Sequence, residues 1–172
     1  MKGIDIMKKF LVIYYSVSNG NTKKIAKELA EKTGGKFAKI DTVKPYEGSY
    51  DEIVEIGKKE VDSHFMPEIK YSGPDIADFD VIAVGTPTWW YTMTPAMLSF
   101  LHGTDFSGKT VVPFMTDGGW PGTVIEDMKK EIKGAEIKFP MEVRFDSNRK
   151  DHLETPEKDI EKWIDDVKSL LY

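Results

Sequence analysis

The chain contains no cysteine, which excludes disulfides, thiolate metal sites, iron–sulfur clusters and cysteine nucleophiles. That composition is compatible with a reducing compartment, and the cytoplasm is the expected location. Long hydrophobic runs are also missing. The longest, near Phe10 to Tyr15, is far too short to span a bilayer, and the first six residues have no apolar core of signal-peptide length. His64, His102 and His152 are the only histidines and have no metal-ligand spacing, so no metal is expected. Basic charge is in short supply: with 24 Lys+Arg against 29 Asp+Glu, the net charge of −5 speaks against non-specific binding to nucleic acid or to an anionic membrane. A basic protein partner suits it better, and no membrane insertion is expected. The phosphate loop of nucleotide hydrolases, the G-x-G-x-x-G dinucleotide turn and the G-x-S-x-G nucleophile elbow are all absent. No catalytic residue is assigned, as expected where a bound cofactor carries the chemistry.

What remains is enough for one globular domain: 172 residues, 40% hydrophobic and 31% charged, can bury a sizeable core. Residues 1–7 read as a loose extension and residues 8–172 as the domain. Lys8 to Tyr15 is a continuous apolar run, the pattern of a central strand buried on both faces. Thr22 to Thr33 has helical spacing and is closed by Gly34-Gly35. Phe37 to Ile40 reads as a second strand, Tyr50 to Val61 as an amphipathic helix, and His64 to Asp78 as irregular. Asp80 to Gly85 and Lys109 to Met115 are further buried strands. Helices follow from Thr94-Pro95 to Gly103 and from Val124 to Gly134. Ile137 to Phe145 alternates strictly, with Pro140 placing it at a sheet edge. Thr155-Pro156 opens a last helix. Five strands alternating with five helices predict an α/β fold, a doubly wound five-stranded parallel sheet with helices on both faces.

In such a sheet, ligands sit beyond the carboxyl ends of the strands. Three unusual segments follow three strands there. In the first, Ser16, Ser18, Asn19, Gly20, Asn21 and Thr22 lead into a helix start, where unpaired N–H groups and the helix dipole favour an anion such as phosphate. A plain N-capped turn is the alternative. The second, Pro87, Thr88, Trp89, Trp90, Tyr91 and Thr92, is too aromatic for an ordinary turn and suits a flat π-system, although such rings also cover cores and subunit contacts. The third, Thr116, Asp117, Gly118, Gly119 and Trp120, brings backbone N–H groups to a planar edge or forms a tight turn. Together they fit a ligand with a phosphate at one end and a planar ring at the other.

With these three motifs in this order, the chain resembles the flavodoxin family from about Phe10 to its end. The resemblance implies strand order 2-1-3-4-5 and FMN as cofactor. It implies the phosphate on Ser16, Ser18, Asn19, Asn21 and Thr22, the ring-stacking loop at Pro87 to Tyr91 and the ring-edge loop at Thr116 to Trp120. Ser16 and Ser18 are both candidates because the phosphate loop is one residue longer than usual. Trp90 is the first choice for stacking, with Trp89 and Tyr91 as alternatives. The last strand lacks the long insertion of the family's long-chain members, so the chain looks like a short-chain type. The implied function is single-electron transfer between redox partners. The alternative is an NAD(P)H-dependent FMN or quinone reductase of the same fold.

Overall fold

The computed structural model describes residues 7–17 and 20–172. The expectations for residues 1–6, for Ser18 and for Asn19 lie outside them. Strand β1 (Phe10–Tyr14) is buried along its whole length and pairs in parallel with β2 (Lys36–Thr42) on one side and β4 (Val81–Trp89) on the other. Its alternating side chains feed two cores. Leu11, Ile13 and the following Tyr15 pack with α3 (Pro95–His102) and α4 (Val124–Glu131). Phe10, Val12 and Tyr14 pack with α1 (Asn21–Thr33) and α5 (Glu157–Ser169) on the opposite face. A continuously apolar strand is the sequence counterpart of this two-sided burial.

Three helices begin or end where the sequence says they should, whereas α4 stops at Glu131, short of the expected Gly134, and α5 has Pro156 at its cap position with no side-chain cap bond, the Thr155 hydroxyl accepting from the Arg144 N–H instead. In α1, Gly34 takes the left-handed conformation and returns its N–H to the Ala30 carbonyl, which closes the helix. Helix α2 (Tyr50–Asp62) starts with a reciprocal capping box between Ser49 and Glu52. Thr94 caps α3, accepting from the Met97 N–H ahead of Pro95.

The sheet departs from the expected five parallel strands in the order 2-1-3-4-5. Eight strands form among the described residues, in the order β3 (Ile69–Tyr71), β2, β1, β4, β6 (Thr110–Asp117), β7 (Glu136–Ile137), with β5 (Thr92–Met93) pairing β4 and β8 (Met141–Arg144) pairing β6. Three local causes account for the difference. First, the segment expected to be irregular contains β3 (Ile69–Tyr71), which adds antiparallel to β2 at the edge. Three residues between Pro67 and Pro74 are too few to show a period, and pairing is decided by the neighbouring strand. Second, β4 does not stop at Gly85. It runs on to Trp89 and turns back as β5 (Thr92–Met93), making the aromatic segment an antiparallel hairpin.

Third, the last strand is split into β7 (Glu136–Ile137) and β8 (Met141–Arg144), both parallel to β6 (Thr110–Asp117). The Val111 and Asp117 carbonyls both accept from this side, so Pro113, in phase with them, presents its missing N–H to the same neighbour. Pro113 can donate no ladder bond there, and Pro140 in the facing segment has no N–H to give in return. The partner strand breaks between Ile137 and Met141, where Phe139 adopts a φ of 47° and its carbonyl accepts from the Trp163 indole at 2.8 Å.

Candidate functional site

The carboxyl ends of β1, β4 and β6 converge on a cleft of about 1090 Å³. Threonines join the segments that follow them. The buried Thr22 hydroxyl meets the Thr116 hydroxyl at 2.8 Å, and the Thr88 hydroxyl donates to the Thr116 carbonyl at 3.2 Å. Convergence of the three segments is therefore held by hydrogen bonds as well as by sheet register. Ser16 Oγ accepts from the Lys23 N–H at 3.3 Å, while the cap position of α1 is Gly20, with no side-chain cap bond.

Of the residues expected from sequence, Ser16, Asn21, Thr22, Pro87, Thr88, Trp89, Trp90, Thr116, Asp117, Gly118 and Trp120 line this cleft. Gly20, Tyr91, Thr92 and Gly119 stand beside it rather than on its wall. Thr92 instead donates to Asp127 on α4, and the Gly119 N–H donates to Asp117 Oδ1 at 2.6 Å in a tight turn under the Arg144 guanidinium.

The two tryptophans occupy different environments. Trp89 is half-buried, edge-on to Tyr46 and Tyr15 at centroid separations of 5.1 and 6.2 Å. Its ring lies against Gly57 of α2, where an added Cβ would stand 3.1 Å from Trp89 Cε3. A helix-interior glycine is unfavourable by itself, and here it makes room for an indole. Trp90 is 38% exposed. Its indole N–H donates to the Val54 carbonyl at 2.9 Å, and Lys58 Nζ sits 5.6 Å from the ring centroid. Trp90 and Tyr91 form the hairpin tip with φ of 49° and 67°, the left-handed pair of a two-residue turn that ordinarily carries Asn-Gly.

Sequence reasoning missed the walls supplied from elsewhere: Tyr46, Tyr50, Ile53, Val54 and Gly57 from α2 and the loop before it, and Asp146, Ser147 and Lys150 from the loop after β8. Only tertiary packing brings these residues to the cleft, and they have no local motif. Charged lining is balanced, with Lys39, Lys70 and Lys150 against Asp41, Asp117 and Asp146. Burial raises the Asp117 carboxyl above the usual range, while the Gly119 N–H and Arg144 pull the other way. Burial likewise raises the phenol of Tyr15, and that of Tyr46, which also donates to Glu60 at 2.6 Å. Among the described residues, no group of His, Asp and Glu could hold a metal, and no helix is long and apolar enough to cross a membrane.

A mostly parallel, doubly wound sheet with one strand-end cleft, polar at a helix start and aromatic opposite, defines an α/β protein of the mononucleotide-binding architecture. The chain belongs to the flavodoxin family, whose model matches residues 9–167. It is 30% identical to a protein from Bacteroides eggerthii described as a flavoprotein, covering 92% of this chain and 96% of that one with a TM-score of 0.72. A similar protein from Bacteroides uniformis is 25% identical over 92% of this chain and 99% of its own, with a TM-score of 0.75. The fold is shared with a Lactobacillus acidophilus flavoprotein solved in complex with FMN, at 19% identity, 91% and 98% coverage and a TM-score of 0.68. No curated protein matches the chain.

Proposed function

We propose that this chain binds FMN in the strand-end cleft and carries single electrons between larger redox proteins. The observation that carries the reading is the joining of two unlike ends in one cleft. Ser16, Asn21 and Thr22 surround a helix start whose cap residue, Gly20, makes no side-chain cap bond, and Trp89 and Trp90 of the hairpin line the same cleft. The donor set fits a phosphate, because hydroxyls, an amide and a helix dipole serve an anion. Ser16, Ser18, Asn19, Gly20, Asn21 and Thr22 would hold the phosphate. Trp90 would take the ring face, with Trp89 and Tyr91 as alternatives, and Thr116 to Trp120 would take the ring edge.

FMN would supply the redox chemistry when bound. The chain's own part is to anchor, orient and partly desolvate it. Since the charged lining is balanced, the net charge of −5 resides outside the cleft, where it steers a basic partner at longer range. Anaerobic mixing of the loaded protein with NADPH tests the assignment. A carrier stays yellow until a reductase is added and is then reduced in two separable one-electron steps; rapid bleaching by NADPH alone would assign it to the NAD(P)H-dependent reductases instead.

A further inference from the structure

The loop after β8 is the part of the cleft that the three strand-end segments do not account for. Phe145 and Leu153 pair antiparallel at its base, and Asp146 accepts from the Asn148 and Arg149 N–H groups inside it. Its tip is tied to the start of α1, with Asn21 Nδ2 donating to the Lys150 carbonyl at 2.7 Å. From there the Lys150 side chain reaches across to α2, where Nζ lies 5.0 Å from the Tyr50 ring centroid. The loop therefore straps the cleft from the first residue of α1 to the first residue of α2.

The three cleft lysines are not equivalent. Lys39 is held by Asp41 at 3.1 Å, and Lys70 stands opposite that aspartate in the β2–β3 register. Lys150 rests on an aromatic ring instead of a carboxylate. An exposed cation–π contact is weak beside a charge-assisted bond to a doubly charged phosphate. The lysine stem is long and flexible enough to exchange one for the other without moving the backbone that Asn21 anchors.

Resting on the FMN reading above, we propose that Lys150 is the specificity-determining cation of the phosphate end. Its ammonium leaves Tyr50 for the phosphate of bound FMN, so that the strap selects phosphorylated over unphosphorylated flavin. The helix start and hydroxyls supply neutral donors and a partial charge, and Lys150 supplies a mobile full charge.

The test is a comparison of FMN with riboflavin on the full-length apoprotein, followed by flavin fluorescence. Wild-type protein should prefer FMN. Lys150→Ala should weaken FMN about 5–10-fold, the size of a partly exposed charge-assisted contact, and leave riboflavin within about twofold. Lys150→Arg should retain most of the preference, and near 1 M salt, where screening acts within roughly 3 Å, the wild type and Lys150→Ala should converge. Equal weakening of both ligands would make the strap a purely structural cover and overturn the proposal, as would an unchanged FMN affinity. A wild-type protein that binds neither flavin would overturn the FMN reading itself, before any variant is compared.

Discussion

At the scale of single residues, the two neighbouring tryptophans are expected to divide support of the fold from the proposed ring contact. Trp89 fills a space bounded by Tyr15, Tyr46 and Gly57, so Trp89→Ala is expected to destabilise the protein by about 2–4 kcal/mol, somewhat below the cost of truncating a fully buried aromatic because the ring is half-buried. Trp90→Ala loses one exposed hydrogen bond and a cation–π contact, and should cost under about 1 kcal/mol of stability. Its effect should appear in FMN affinity, at roughly tenfold, the lower part of the range for a lost stacking partner. Urea unfolding and a flavin titration on both variants check this; unchanged FMN affinity in Trp90→Ala would pass the stacking role to another ring. The hydroxyl-rich turn and the aromatic run were legible in sequence because each is a local cluster of unusual composition. Gly57, Tyr46 and Lys150 were not. A glycine in a helix, a tyrosine in a loop and a lysine in a polar stretch have ordinary local explanations, and only packing reveals their position.

At the scale of elements, the β4–β5 hairpin holds its tip in a conformation that its sequence disfavours. Both tip residues are in the left-handed region without being glycine. The turn is clamped on the far side, where the Tyr91 carbonyl accepts from the Thr123 N–H at 2.8 Å and Gly122 lies directly on the Tyr91 backbone. Tyr91→Gly should therefore relieve strain and raise stability by about 0.5–1 kcal/mol, read as a higher denaturant midpoint with an unchanged slope. A lower midpoint would mean that the phenol contributes more than its 57% exposure suggests. The strands β1, β2, β4 and β6 were legible from apolar runs, whereas strand ends and the short strands β3 and β5 were not. Pro140 marked the last strand as an edge but not as a broken one, and the part played by Pro113 depends on which side of β6 its missing donor faces, which the sequence does not show.

At the scale of the whole molecule, the α/β class and the two helical layers followed from alternation alone, while the strand count and the edge did not, because short antiparallel additions have no period to detect. Whole-molecule stability should be sensitive to alkali. Burial raises the phenols of Tyr14, Tyr15, Tyr46 and Tyr71, with nearby carboxylates adding to the shift. A raised folded-state pKa means that stability is fully present below the unfolded value, about 10, and is lost as pH rises through the folded values. Denaturant midpoints should hold from neutral pH to about pH 9 and fall above about pH 10. Tyr46→Phe should make that fall shallower; a midpoint flat to strongly alkaline pH would contradict the shared burial of these phenols.

The broken last strand has a further consequence, for how copies of this chain meet. A sheet exposes its unpaired N–H and C=O groups along its two outer strands, and a long, straight outer strand is a template for another molecule's strand. Here one border is β3, three residues long with Lys70 at its centre, and the other is the β7–β8 pair, interrupted at Lys138 to Pro140. Neither offers an uninterrupted row on which a neighbour could zip. The prolines that interrupt the second border, Pro113 in β6 and Pro140 in the gap, thereby remove a continuous template for sheet growth across molecules.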